Sequence, residues 1–291
     1  MRWLNTGFVE GFVAHTGGTT IKSTDKGLTE TGTYIEVTHN YIQKNIEATN
    51  EIWLSFDMYV KDTYPLGGVS IGYKNLPHLY SRGSSTVYMF KVVDKDNNTL
   101  YDPQVSFDFS DRKKHNIELH IKTGDAGRLD VWFDHKLMFS YRSPNAFAEL
   151  INHIYINADN AFHIYLSSFI LQDTRRIGYE KFVKLNIDPA TEQNMPQGST
   201  TTYTLSGLSD SSEYSDITGV CAVLQATSRD ANINTGTFTL EGADVGTIDV
   251  SDSSGRAYEI AYAETNSITG LPFTRDEIEG KTLSFTVNGA E

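Results

Sequence analysis

Residues 51–60, Glu-Ile-Trp-Leu-Ser-Phe-Asp-Met-Tyr-Val, are apolar at every second position: Ile52, Leu54, Phe56, Met58 and Val60. A period of two predicts a strand with one face in a core. The intervening positions, Trp53, Ser55, Asp57 and Tyr59, set two large aromatics beside a carboxylate on the face expected to meet water. The pattern recurs. Leu129, Val131 and Phe133 alternate with Asp130, Trp132 and Asp134; Ile117, Leu119 and Ile121 alternate with Glu118 and His120; Phe162, Ile164 and Leu166 alternate with His163, Tyr165 and Ser167. Strands are expected near 34–37, 51–60, 68–73, 86–94, 104–109, 115–123, 127–133, 153–158 and 162–172. Residues 94–100 and 122–129 are rich in Gly, Asn and Asp and predict hairpin turns. Helical periodicity is confined to one short candidate, 143–151. Many strands with turn signals at this spacing predict an antiparallel sandwich.

Alternation fades over 175–200, and a second set of strand-like runs follows, rich in Thr, Ser and Gly. All three tryptophans precede residue 133. These shifts predict two domains, 1–182 and 183–291, with the boundary near 183.

The chain has 291 residues, 39% of them hydrophobic and 12% aromatic, enough for packed cores. The formal net charge of -13 disfavours a phosphate backbone as partner, so nucleic-acid binding is not expected. The single cysteine, Cys221, cannot form an internal disulfide, and its apolar setting predicts a small hydrophobe. The opening residues lack the apolar segment of a signal peptide, and no run is long enough to span a membrane. Export by the general secretory route and membrane insertion are therefore not expected; lysis is one alternative route outward.

Catalytic and metal motifs are scarce. There is no Gly-x-Ser-x-Gly elbow, His-Glu-x-x-His pair, phosphate loop or dinucleotide fingerprint. The eight histidines show no zinc spacing. Residues 94–98 lack the Gly and distant Glu of a calcium loop. No metal or cofactor is expected. Glycoside hydrolysis needs two carboxylates flanking one bond, and no Glu-x-Asp-x-(x)-Glu run occurs. The expectation is a chain without catalytic activity.

The second faces carry Trp, Tyr, His, Asp and Glu. Flat aromatics stack on the apolar faces of sugar rings, while carboxylates bond sugar hydroxyls. Gathered in one sheet, Trp53, Asp57, Tyr59, Asp130, Trp132 and Asp134 would form a carbohydrate-binding face. The same aromatics equally fit packing under a loop, against the other domain or in an oligomer interface.

Two resemblances extend this reading. "IWLSFDMYV" followed by "HNIELHIKTGDAGRLDVWFDHKLMFSY" and the late strand "FHIYLSSFILQD" resembles concanavalin A-like, or laminin G-like, jelly rolls. It implies two curved antiparallel sheets over residues 1 to about 175, often with a carbohydrate or calcium site. "AETNSITGLPFTRDEIEG" (263–280), with "DITGVCAVLQATSRDANINTGTFTL" upstream, is similar to a C-terminal pattern of bacteriophage tail and tail-fibre proteins, through Asn266, Thr269, Gly270, Phe273 and Thr274. It implies a β-sandwich in a virion component. Phe273 stands where that pattern more often has Trp, and Ser267 where it often has Pro. Together these give an all-β chain, a jelly roll followed by a smaller β-sandwich, and an expected role as a phage virion protein assembled in the host cytoplasm. It would contact other virion subunits, form a homo-oligomer and adhere to host-surface polysaccharide. The alternatives are a polysaccharide depolymerase and a purely architectural decoration protein.

Overall fold

In the computed structural model the described residues are 2–5, 12, 14–15, 21–25, 33–37, 40–62, 67–73, 76–83, 87–143, 146–158, 163–174, 176–178, 185–188, 195–208, 216–226, 233–249 and 257–289. The chain divides into two compact units, Met1–Phe182 and Val183–Glu291.

The strands of the first unit are β1 (Arg2–Asn5), β2 (Ala14–His15), β3 (Ile21–Asp25), β4 (Thr33–Val37), β5 (Asn40–Thr49), β6 (Glu51–Asp62), β7 (Gly67–Gly72), β8 (His78–Gly83), β9 (Val87–Met89), β10 (Lys91–Val93), β11 (Thr99–Tyr101), β12 (Ser106–Asp108), β13 (His115–Lys122), β14 (Arg128–Phe133), β15 (Lys136–Arg142), β16 (Ile151–Ala158) and β17 (His163–Gln172). They form an eight-stranded sheet, β15-β14-β13-β6-β17-β4-β3 with β1 also paired to β17, and a seven-stranded sheet, β11-β10-β8-β7-β16-β5-β2. A small ribbon pairs β12 with β9. Every strand pair is antiparallel.

Alternation explains the layering. Ile52, Leu54, Phe56, Met58 and Val60 of β6, with Ile117, Leu119 and Ile121 of β13, face Ile42 of β5, Val69 and Ile71 of β7, and Ile154 and Ile156 of β16 in one apolar cluster. The result is a sandwich of jelly-roll type, the all-β fold read from the sequence. In β17 a bulge at Ser168, whose φ is +56°, shifts the parity. Leu166 and Phe169, three apart, thus both reach the core.

The 94–100 turn is a hairpin in which the Asp94 carboxylate accepts the Asp96 and Asn98 N–H groups. The expected run at 86–94 is two strands, β9 and β10, in different sheets. Of the helix expected at 143–151, residues 144 and 145 lie outside the described residues, and β16 begins at Ile151. Of the expected connection at 175–200, residues 175, 179–184 and 189–194 also lie outside them, and the described part includes a short strand, Asn186–Asp188.

The second unit holds β18 (Asn186–Asp188), β19 (Thr200–Ser206), β20 (Val220–Ala226), β21 (Ile233–Leu240), β22 (Ala243–Asp249), β23 (Ala257–Ala263) and β24 (Thr282–Gly289). They form a five-stranded sheet, β18-β19-β24-β21-β22, and the pair β20-β23 around a separate apolar cluster. The 263–280 stretch is a tightly bonded turn. The Asn266 side chain accepts the Ile268 N–H at 2.9 Å and donates to Glu277 at 3.0 Å. Thr274 and Glu277 form a reciprocal capping box, and Phe273 is buried. Gly270, at φ +70°, takes the left-handed position that closes the loop.

Candidate functional site

The eight-stranded sheet does gather five of the six residues expected to bind carbohydrate. Trp53 of β6 lies opposite His120 of β13, which lies opposite Asp130 of β14. One rung away, Ser55, Glu118 and Trp132 line up, and Asp57 and Tyr59 continue the β6 row. All are on the side away from the core, as alternation predicts. The face is nonetheless closed: Glu118 is 0% exposed, His120 2%, Asp130 3%, Asp57 6% and Trp132 8%. Only Trp53 and Tyr59 are half-buried.

The polar groups of this face bond one another. Backbone N–H groups of Ile177 and Gly178 both donate to Glu118 Oε1 at 3.1 Å, and Arg176 Nε donates to Oε2 at 3.2 Å. The Arg176 guanidinium also lies 4.6 Å from the Trp132 ring, a cation–π contact. The Trp53 ring stacks on His120 with centroids 3.8 Å apart and planes 3° from parallel. His120 meets Glu51 through Nε2 at 2.8 Å, and Asp130 and Arg128 through Nδ1 at 2.9 and 3.0 Å. Burial works against the Asp130 carboxylate, yet His120, Ser140 and Arg128 hold it below the usual range. Glu51 is likewise depressed, burial opposing and Lys122 and His120 prevailing. Asp57 contacts Lys114 at 3.3 Å and the Asn116 amide. The expectation that this aromatic–acid face meets solvent is therefore corrected. The chain after β17 covers Glu118 and Trp132, the other groups seal one another, and alternation is blind to both.

Asp134 does not belong to the face. Asp134 and His135 form the two-residue β14–β15 turn at φ +47° and +66°, so alternation stops at Phe133. The Asp134 carboxylate instead takes His115 Nδ1 at 2.6 Å and the Asn116 N–H at 2.9 Å. Asp111 holds His115 Nε2 at 2.9 Å. Burial opposes the charged ring, but Asp134 and Asp111 raise its pKa above the ordinary histidine value.

The seven-stranded sheet carries the open site. On its outer face β5 presents Tyr41, Gln43 and Asn45 opposite Asn157, Tyr155 and His153 of β16. A bulge follows: Ile151 pairs with Thr49 but His153 with Asn45. The extra β5 residues break the flat ladder, and a cleft of about 480 Å³ opens, lined by Gln43, Asn45, Ile46, Tyr73, Asn152 and His153. Gln43 Nε2 donates to Asn45 Oδ1 at 2.7 Å. His153 Nδ1 lies 2.8 Å from Asn152 Oδ1, an acceptor, so in the neutral ring Nε2 is the basic nitrogen. The Tyr73 ring lies 4.4 Å from the imidazole.

None of these cleft residues figured in the sequence-based site. The signal was available in β16, where His153, Tyr155 and Asn157 alternate with Ile154, Ile156 and Ala158 as cleanly as in β6. In β5 it is masked, because Lys44 interrupts the apolar row between Ile42 and Ile46. The Lys44 ammonium lies over the Trp3 ring, 5.1 Å from its centroid. Among the described residues no group of three or more His, Cys, Asp or Glu side chains is placed to hold a metal ion.

No family model matches the chain, and no curated protein sequence does. Solved structures do. An endo-β-1,4-glucuronan lyase from the fungus Trichoderma reesei is 10% identical, with TM-score 0.45, over 59% of this chain and 95% of its own. Alginate lyase Aly36B is 10% identical, with TM-score 0.41, over 60% and 94%. Domain 4 of AbnA, an extracellular arabinanase from Geobacillus stearothermophilus solved with arabinotriose, is 11% identical, with TM-score 0.40, over 59% and 82%. At these identities the likeness concerns the sandwich fold. Two of these matches are lyases, and the expectation of a chain without catalytic activity is withdrawn; the likeness itself concerns the fold alone. None of these three is a phage tail domain.

Proposed function

We propose that the first unit binds polysaccharide in the cleft on the outer face of its seven-stranded sheet. The observation that carries this reading is the cleft itself, where three amide side chains and an imidazole converge beside Tyr73 and Ile46. A concave site with an apolar floor and a few convergent polar groups is the form that ligand sites take. Amides both donate and accept, which suits hydroxyls that do the same. A shallow cleft leaves much of a sugar in water, so a single site should bind at millimolar to micromolar, about -4 to -8 kcal/mol.

A second reading is depolymerisation, favoured by the His153–Asn152 bond and the neighbouring Tyr73. A held imidazole with a basic Nε2 is suited to general-base chemistry. On a uronate-containing chain that chemistry is transfer of the proton beside the carboxylate to Nε2, formation of a carbon–carbon double bond, and cleavage of the bond to the glycosidic oxygen, which takes a proton from water. A virion setting rests on the resemblance of 263–280 alone, and the neighbouring reading frames test it.

The experiment is calorimetric titration of the full chain with arabinan, a β-glucan, alginate and glucuronan, alongside ultraviolet absorbance of any unsaturated product. Binding to at least one polymer, lost in the Asn45→Ala/Asn152→Ala variant, is expected. No heat with any polymer at millimolar sugar, with the fold intact, would sink the reading. Absorbance growth abolished by His153→Ala establishes cleavage.

A further inference from the structure

Gln43 and His153 lie on neighbouring rungs of the β5–β16 ladder, and the same face continues for another rung beyond the cleft. The face-sharing pairs are Asn45–His153, Gln43–Tyr155 and Tyr41–Asn157. Tyr41 and Tyr155 are diagonal neighbours, their ring centroids 5.2 Å apart and their planes 35° from parallel. Both are half-buried, as are Gln43, His153 and Asn157. Rungs on one face are two residues apart, about 6.8 Å, so three rungs span about 14 Å. That is the length of a short oligosaccharide, not of one ring. The chemistry also changes along the row. The cleft end offers amides and an imidazole for hydroxyls, while the far end offers two phenol rings on which the apolar face of a pyranose can lie.

We infer that the ligand is a linear chain bound lengthwise over β5 and β16, with Tyr41 and Tyr155 forming a stacking subsite next to the cleft. The inference rests on the polysaccharide reading and specifies it: internal stretches of a polymer are recognised over several units, not a chain end held in the cleft alone. Adjacent subsites on one rigid ladder act on a single molecule, so affinity rises with chain length until the row is filled.

The test uses arabino-, cello-, alginate and glucuronan oligosaccharides of one to four units, titrated into the full chain. For whichever series binds, Kd should fall about tenfold or more between two and four units, the size of one added aromatic contact. Tyr155→Ala and Tyr41→Ala should each remove that gain while leaving the disaccharide within about twofold. Tyr155→Phe, which keeps the ring, should restore it. Asn45→Ala should weaken every length. Thermal melts confirm that the variants fold. Equal affinity at all lengths, or a gain that survives in both alanine variants, overturns the lengthwise subsite alone. Absence of binding at every length overturns it together with the polysaccharide reading.

Discussion

The first unit has two outer faces of similar composition and opposite fate. On the eight-stranded sheet Trp53, Trp132, His120, Glu118 and Asp130 form an aromatic and charged surface sealed by its own pairings and, over Glu118 and Trp132, by the chain at 176–178. On the seven-stranded sheet Tyr41, Tyr155, His153, Gln43 and Asn45 form an aromatic and amide surface that stays half-open and holds a cleft. The difference is in the charges. Ionised groups cannot stay buried unpaired, and on the closed face Glu51, Asp57, Glu118 and Asp130 each have a cation, an imidazole or backbone N–H groups. The open face relies on neutral amides, which tolerate exchange between water and sugar hydroxyls. Aromatic–acid composition thus marks either a ligand surface or a sealed seam, and coverage decides which.

Substitutions on the two faces can break this comparison. The largest expected effect is on the closed face. Trp132→Ala should destabilise by about 3–5 kcal/mol, as much as Phe56→Ala in the core, because both rings are truncated in buried settings. Denaturant unfolding measures this, and a mild Trp132→Ala beside a severe Phe56→Ala would return Trp132 to the solvent face. Next, Glu118→Gln should cost about 1–3 kcal/mol, since an amide cannot serve Arg176 and two N–H groups as the carboxylate does. Arg176→Ala combined with it should cost less than the sum of the two, since their shared contact is lost only once, while the Arg176 contact with Trp132 adds its own smaller part. A fully additive double variant would mean that the 176–178 segment is held elsewhere.

The smallest expected effect concerns the His115 clasp at the rim. His115 gains its carboxylate partners on folding and its folded pKa is raised. Its contribution is therefore complete below the unfolded histidine value of about 6.5 and is lost as pH rises through the folded value. Asp134→Asn should flatten that part of the pH–stability curve and leave glycan binding unchanged. A slope that persists in the variant would assign it to another group.

Much of the fold was legible. Strict alternation in β6, β13 and β14 fixed which residues enter the core, and Ile52, Leu54, Phe56, Ile117, Leu119 and Val131 are all fully buried there. Strands with broken alternation were harder to read: Lys44 hides β5, and β8 and β15 mix charged with apolar residues without a clean period. The candidate site was less legible than the fold, because half of the cleft lies on the hidden strand β5.

The sequence by itself determined an all-β chain, its core rows, its hairpins and the side of the strand on which Trp53 and Trp132 stand. Those follow from local rules, the two-residue period and turn chemistry, which act within a few positions. Tertiary structure decided everything that depends on what lies above a face. It carried Arg176, Ile177 and Gly178 across one sheet and opened the other at a bulge between Asn45 and Thr49. Exposure arises from contacts between residues far apart in the chain. Glu118 and Ile177 are 59 positions apart, and no local pattern encodes their meeting.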